Sequence, residues 1–334
     1  MILVLSTLYD SSTRKLIYWL EANGVAYRRL NGEDFDESLN ALTIGYEDGI
    51  DQLNIIVDGE ELPLNEIKLI LDRRTHSFTQ IKDQVYPEQS SLKGWQSSVL
   101  YSFLTGEFFG LYDYVSAKLK GRWLDQPQHT SLNKLSVLDA ARAVGLKVPA
   151  TIVTNKRQRL QSFVERYGTV ITKPVAEVFG VEINQDMYML YTPILTLEDL
   201  TTVPESFFPS LFQQCIEKTY EIRSFYLAGE FYSMTIFSQL DESTQADFRN
   251  YNRKKWNRMV PFKLPLKVEQ QLHELMKGIG LTRGSIDLIK ALDGQCFFLE
   301  VNPVGQFGMT SKPCNYFLEE KIVKKAIAYA EEVN

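Results

Sequence analysis

Ser285-Ile286-Asp287-Leu288-Ile289 and, a short way on, Phe297-Phe298-Leu299-Glu300-Val301-Asn302-Pro303 are the two runs whose reading decides the fold. Both are apolar with polar residues interleaved, the period of a strand with two faces. Between them Asp293-Gly294 is a hairpin signal. The pattern predicts two neighbouring strands, with Asp287 on one and Glu300 and Asn302 alternating onto a single face of the other. Three oxygen donors within reach of one another suit Mg²⁺, which takes few protein oxygens and completes its shell with water and phosphate. Two strands turning polar residues to solvent would show a similar pattern. The apolar flanks of Glu300 and Asn302, and the Pro303 that follows, favour a metal site.

Weaker signals lie upstream. Gly168-Thr169-Val170-Ile171-Thr172-Lys173-Pro174 reads as an apolar strand ending on a Lys, which can meet phosphate oxygens as a point charge or simply face water. Lys134 opens a helix after Asn133 and carries the same two readings. In Phe212-Gln213-Gln214-Cys215-Ile216 an apolar strand is interrupted by two Gln residues, and its backbone can address an adenine edge. In Tyr220-Glu221-Ile222-Arg223-Ser224-Phe225, Glu221 can accept from ribose hydroxyls and Arg223 can hold a phosphate through paired hydrogen bonds. A plain cross-strand Glu–Arg pair is the alternative.

The rest of the chain alternates strands and helices, predicting an α/β protein built of α+β subdomains with mixed sheets. Ile2 to Ser6 reads as a strand, Ser11-Ser12-Thr13 as N-cap candidates for a helix to about Asn23, and Val25 to Leu30 as a second strand, which implies a small parallel sheet. Asn54 to Asp58 reads as a further strand, and Leu92 to Leu119 as one or two helices. Gly, Pro and polar residues gather at Gly121 to Thr130. The expected division is an N-terminal parallel-sheet domain over 1–120, a central subdomain over 121–195 and a C-terminal subdomain over 196–334 that carries the metal site. The last helix is expected from Phe317 to Val333.

Composition excludes several classes. The chain has 334 residues, 44% hydrophobic and 23% charged, an ordinary globular balance. No apolar run approaches the ~20 residues of a membrane span, and Met-Ile-Leu-Val-Leu-Ser lacks a basic leader. A net charge of -6 argues against a partner held by nucleic-acid phosphates. Cys215, Cys296 and Cys314 are scattered, so a reducing cytoplasm is the expectation.

Lys134, Lys173, Gln213 to Ile216, Glu221, Arg223 and the Asp287/Glu300/Asn302 triad stand in an order and spacing that resembles the ATP-grasp superfamily. Over about residues 120 to 310 the resemblance implies ATP held between two α+β subdomains. Lys134 and Lys173 would lie on phosphates, Gln214, Cys215 and Ile216 would frame adenine, and Asp287, Glu300 and Asn302 would hold two Mg²⁺ ions. A finer resemblance rests on Asp10-Ser11-Ser12-Thr13, Ser233-Met234-Thr235-Ile236-Phe237-Ser238-Gln239, Asp247-Phe248-Arg249-Asn250-Tyr251 and the tail from Asn302 to Tyr316. These look like the grasp-with-spasm peptide maturases, relatives of the microviridin-type ligases that make graspetides. The chain departs from that pattern at Asp72-Arg73-Arg74, which lacks an aromatic beside the Arg pair, and at Val175 to Gly180, which replaces a glycine-rich phosphate loop.

The resemblance implies an N-terminal pre-ATP-grasp domain and a cytoplasmic enzyme that joins Asp or Glu carboxylates of a ribosomal precursor peptide, leader plus core, to Ser or Thr hydroxyls or Lys amines. ATP would activate the carboxylate as an acyl phosphate. Arg223 and Arg249 are the candidates for holding the phosphates, and Asp247 for orienting Arg249 or accepting the hydroxyl proton. A solvated loop over Asp247 to Arg249 is the alternative, as it is for the basic run Asn252-Arg253-Lys254-Lys255. Val175 to Tyr191 is expected either to receive the leader or to cover the nucleotide. A homodimer is left open, and no nucleic acid or membrane is expected as a partner. Two rivals are a ligase adding amino acids to a protein tail or small metabolite, and a non-catalytic ATP-binding regulatory module, which would not need the full metal triad.

Overall fold

A computed structural model describes residues 1–7, 9–31, 41–47, 50–73, 95–119, 122–125, 132–175, 180–183, 186–189, 192–240 and 257–332. Two compact units emerge, one of residues 1–130 with 317–334, the other of 131–316.

The first unit begins with β1 (Ile2–Ser6), every residue of which is buried. Helix α1 (Ser11–Ala22) follows, then β2 (Tyr27–Asn31). The N-cap is Asp10, one residue before the expected Ser and Thr candidates. Asp10 keeps an extended backbone, and its carboxylate accepts from the Ser12 N–H at 2.8 Å and the Thr13 hydroxyl at 3.0 Å. The hydroxyls that looked like caps instead donate to it. Strands β3 (Ala41–Glu47), β4 (Ile50–Val57) and β5 (Glu60–Glu61) form an antiparallel sheet of which only part of β4 was expected. With β6 (Leu69–Asp72) the parallel sheet runs β2-β1-β6. A single helix, α2 (Trp95–Lys118), spans the stretch predicted as one or two. The C-terminal helix, Leu318–Glu332, belongs to this unit and packs on α1, where Lys15 Nζ stands 3.4 Å from Glu319.

The second unit opens with α3 (Lys134–Ala143), capped by the Asn133 side chain, which accepts from Leu135 N and Ser136 N. Then come β7 (Thr151–Lys156), α4 (Arg157–Tyr167), β8 (Val170–Lys173), the hairpin β9 (Gly180–Ile183) and β10 (Asp186–Met189), β11 (Ile194–Leu195) and β12 (Ser206–Gln214). One sheet has the order β11-β8-β12-β7, and α4 covers a face of it with Leu160 and Val164. After β12 run β13 (Lys218–Leu227), β14 (Glu230–Ile236), β15 (Met259–Phe262), α5 (Leu266–Gly278), β16 (Arg283–Ala291), β17 (Cys296–Asn302) and the short α6 (Gly308–Cys314). These strands make a second antiparallel sheet, β15-β14-β13-β16-β17. The predicted turn at Asp293-Gly294 is formed, with Gly294 at φ +82.

Helices α3 and α5 bury one face of this second sheet. Val137, Leu138, Leu272, Leu275 and Met276 pack on Ile222, Ile286, Leu288, Phe298 and Val301. Each buried Leu or Ile contributes about 1.5–3 kcal/mol. Because strand side chains alternate, filling that face with apolar residues commits Glu221, Arg223 and Asp287 to the other. Among the described residues no helix is long and apolar enough to cross a membrane.

Candidate functional site

Register sets the site. On β13 and β16, Arg223 stands opposite Asp287 and Glu221 opposite Ile289. On β16 and β17, Leu288 pairs Phe298, Asp287 pairs Glu300 and Ser285 pairs Asn302. One residue, Leu299, is therefore extra, a β-bulge. Without it Leu299 would oppose Asp287, and Glu300 would oppose Ile286 and face the apolar core. The bulge turns Glu300 and Asn302 onto the face that carries Asp287 and Arg223. Its trace in the sequence is the spacing of Phe298 and Val301, which both enter the same core three residues apart instead of two.

The side chains on this face are joined. Arg223 Nη1 donates to Asp287 Oδ1 at 3.0 Å and Oδ2 at 3.1 Å, and Asn302 Nδ2 donates to Oδ2 at 3.2 Å. Arg223 and Asp287 are both buried, and Glu300 and Asn302 are half-buried. The Arg223 Nε is buried without a hydrogen-bond partner. The turn after Asn302 is pressed onto the same face. Gly305 has φ +41, and a Cβ there would lie 2.7 Å from Ser285 Oγ, so only glycine fits. Phe307 closes edge-on against Phe225.

Glu221 is buried, and its Oε1 accepts from Lys218 Nζ and from Ser238 Oγ, each at 2.7 Å. Lys218 did not stand out in the sequence, and Ser238 appeared only within the Ser233 to Gln239 run with no role of its own, since a single Lys or Ser carries no chemical signal alone. Gln213 is fully buried within its sheet, where Nε2 donates to Thr151 Oγ1 at 3.0 Å. The strand ends at Gln214, so Cys215 and Ile216 lie just past it. The N–H groups of Gln214 and Cys215 donate to Ala150 O and Thr169 O, and the backbone of Ile216 follows. Burial pushes the Cys215 thiol above its usual range, against a smaller opposing pull from Lys218.

Lys173 ends β8, on the sheet face it shares with Leu211. Lys134 Nζ donates to the Pro174 carbonyl at 3.0 Å, which ties the start of α3 to the chain just after Lys173. Asp247 and Arg249 lie outside the described residues, as does the basic run after them. Among the described residues no three His, Cys, Asp or Glu side chains cluster as metal ligands. The candidate donors are then two carboxylates and the Asn302 amide, all hard oxygen donors, few enough to leave positions for phosphate and water as Mg²⁺ requires.

No protein-family model matches the chain, and no curated protein does. Solved structures match along nearly its whole length. A RiPP-associated ATP-grasp ligase of Chryseobacterium gregarium, in complex with ADP and a leader and core peptide, has 23% identity and a TM-score of 0.81, covering 99% of this chain and 96% of that one. The macrocyclase MdnC from Microcystis aeruginosa MRC, bound with precursor peptide MdnA, has 24% identity and a TM-score of 0.80, covering 98% and 100%. The ATP-grasp ligase PsnB, complexed with minimal precursor, Mg and ADP, has 20% identity and a TM-score of 0.75, covering 98% and 97%. The chain thus has the ATP-grasp fold, with an N-terminal parallel sheet.

Proposed function

We propose that the protein is an ATP-dependent peptide macrocyclase of the graspetide type. It would form ω-ester or ω-amide crosslinks between Asp or Glu carboxylates and Thr, Ser or Lys side chains of a ribosomal precursor peptide. The observation that carries this is the placement of Arg223, Asp287, Glu300 and Asn302 on one face of one sheet, brought there by the Leu299 bulge. Support comes from the fold, whose solved counterparts hold a leader and core peptide with ADP in one case, a precursor peptide in a second, and a minimal precursor with Mg and ADP in a third.

A carboxylate does not acylate a hydroxyl at neutral pH, because its carbon is shielded by charge and oxide is a poor leaving group. The peptide carboxylate oxygen attacks the γ-phosphorus, the bond to the β-phosphate oxygen breaks, and ADP departs. The hydroxyl or amine then attacks the acyl carbon, phosphate leaves with the C–O bond pair, and the nucleophile's proton passes to a base. Two Mg²⁺ ions on Asp287, Glu300 and Asn302 would supply neutralisation of the phosphate charge. Arg223 is fixed by Asp287 beside that position, so its cation is pre-oriented rather than recruited. Lys173 at the end of β8, and Lys134 at the start of α3 with its Nζ on the Pro174 carbonyl, are assigned to phosphates, and the Ile216 backbone just past β12 to adenine. Arg249 is assigned to the acyl phosphate and Asp247 to the proton. The β9–β10 hairpin is a two-stranded sheet whose edges suit addition of a leader segment.

The test is ADP release from Mg·ATP with a full precursor peptide, with the core lacking its leader, and with no peptide. Release that needs the full precursor supports the reading. Equal release in all three arms removes the peptide from it.

A further inference from the structure

Lys218 and Glu221 are three residues apart on β13, and a regular strand turns such a pair to opposite faces. Here they meet at 2.7 Å. The reason is a second bulge. The β13–β16 register steps from Lys218↔Ala291 to Tyr220↔Lys290, leaving Thr219 extra. Ser238, in the 3-10 turn after β14, donates to the same Glu221 Oε1. The side chains of Lys218 and Glu221 are 6% and 8% exposed, and Ser238 is fully enclosed.

A buried ion pair gains little stability, since desolvating both charges costs about what their attraction returns. Apolar residues of equal volume would serve the fold as well. What the pair and the hydroxyl accomplish is placement: two donors converge on one oxygen and fix the plane of a carboxylate two residues from Arg223. Lys218 is also close enough to Cys215 for its charge to act on that thiol.

We infer that Lys218 and Ser238 are positioning residues for the nucleotide ribose, pinning Glu221 so that it accepts from the 2′- and 3′-hydroxyls. The inference rests on the ATP-binding reading above. It makes Lys218 and Ser238 determinants of the preference for ATP over 2′,3′-dideoxy-ATP, a property a merely structural pair would not control.

The experiment is calorimetric titration of the full chain with each nucleotide in Mg²⁺. Wild type is expected to favour ATP by about tenfold or more, the worth of hydrogen bonds to a charged acceptor. Ser238→Ala and Lys218→Met each lower ATP affinity roughly tenfold and leave dideoxy-ATP affinity unchanged, while Lys218→Arg restores the preference. Lys218→Met strands a buried carboxylate and can fail to fold. Ser238→Ala deletes one hydroxyl, so the inference is decided by that variant in any case. A folded Ser238→Ala protein with the wild-type preference overturns the inference and leaves ATP binding intact. So does a wild type that binds both nucleotides equally. A wild type that binds neither overturns the functional reading, and the inference with it.

Discussion

Arg223 and Asp287 face each other in register, and one guanidinium nitrogen, Nη1, donates to both oxygens of the carboxylate at 3.0 and 3.1 Å. The residue proposed to hold a metal and the residue proposed to hold a phosphate are thus partners in one buried pair. Neither can be altered without stranding the other.

That coupling has a stability signature. Asp287→Ala leaves a buried guanidinium without its carboxylate and is expected to cost about 3–5 kcal/mol. Arg223→Met/Asp287→Leu buries no charge and is expected to recover most of that loss while staying inactive. Urea unfolding of the two singles and the double checks this, and additive losses would contradict it.

The Leu299 bulge is expected to matter more than the Leu299 side chain. Deleting Leu299 swings Glu300 toward the core between α3 and α5 and buries a carboxylate there. ADP formation is expected to fall at least about a hundredfold, with clear destabilisation. Leu299→Ala keeps the bulge and is expected to stay within about threefold of wild type. Steady-state assays and thermal melts separate the two variants, and equal behaviour would remove the bulge from the account.

Much of this was legible in the sequence, for physical reasons that also mark where legibility stopped. The parallel start was readable because β1 opens on an unbroken apolar run, Ile2 to Leu5, and α1 has a stop at Gly24, which sits at φ +65. That Glu300 and Asn302 share a face was readable from alternation, but the bulge that matches their face to that of Asp287 was not read, because the spacing of Phe298 and Val301 tells only once both are seen to enter one core. Ala41–Glu47 escaped notice because Gly45 interrupts a short run whose other residues do favour a strand. Asp10 was passed over as a cap because three hydroxyl residues follow it. The pairing of Glu221 with Lys218 was invisible, since strand geometry forbids it unless a bulge intervenes.

Asp10 predicts a pH dependence. Burial opposes its ionisation, but the Ser12 hydroxyl, the Arg73 charge, the Ser12 N–H and the Thr13 hydroxyl together hold its carboxyl below the usual carboxylate range. A depressed folded-state pKa adds stability that is present above the unfolded value, about 3.9, and lost as pH falls through the folded value. The stability gap between wild type and Asp10→Asn is expected to be constant from about pH 7 to pH 5 and to shrink below about pH 4. Chemical denaturation across that range checks it, and a gap that widens in acid would contradict it.

Arg249 is expected to act on the transferred group and not on nucleotide affinity. Arg249→Ala should lower kcat by about 10²–10³, the usual worth of a charge-stabilising donor, with ATP affinity unchanged. Single-turnover kinetics beside direct ATP titration distinguish the two. Weakened ATP binding with normal turnover at saturation would assign Arg249 to the nucleotide.

The most direct measurement is the intact mass of a precursor peptide after incubation with the protein, ATP and Mg²⁺, with ADP counted in the same tube. One water is expected to be lost for each crosslink, one ADP to form for each water, and neither to occur with Glu300→Gln. A peptide whose mass stays unchanged while ADP accumulates, or a water loss that proceeds without ATP, would contradict the account.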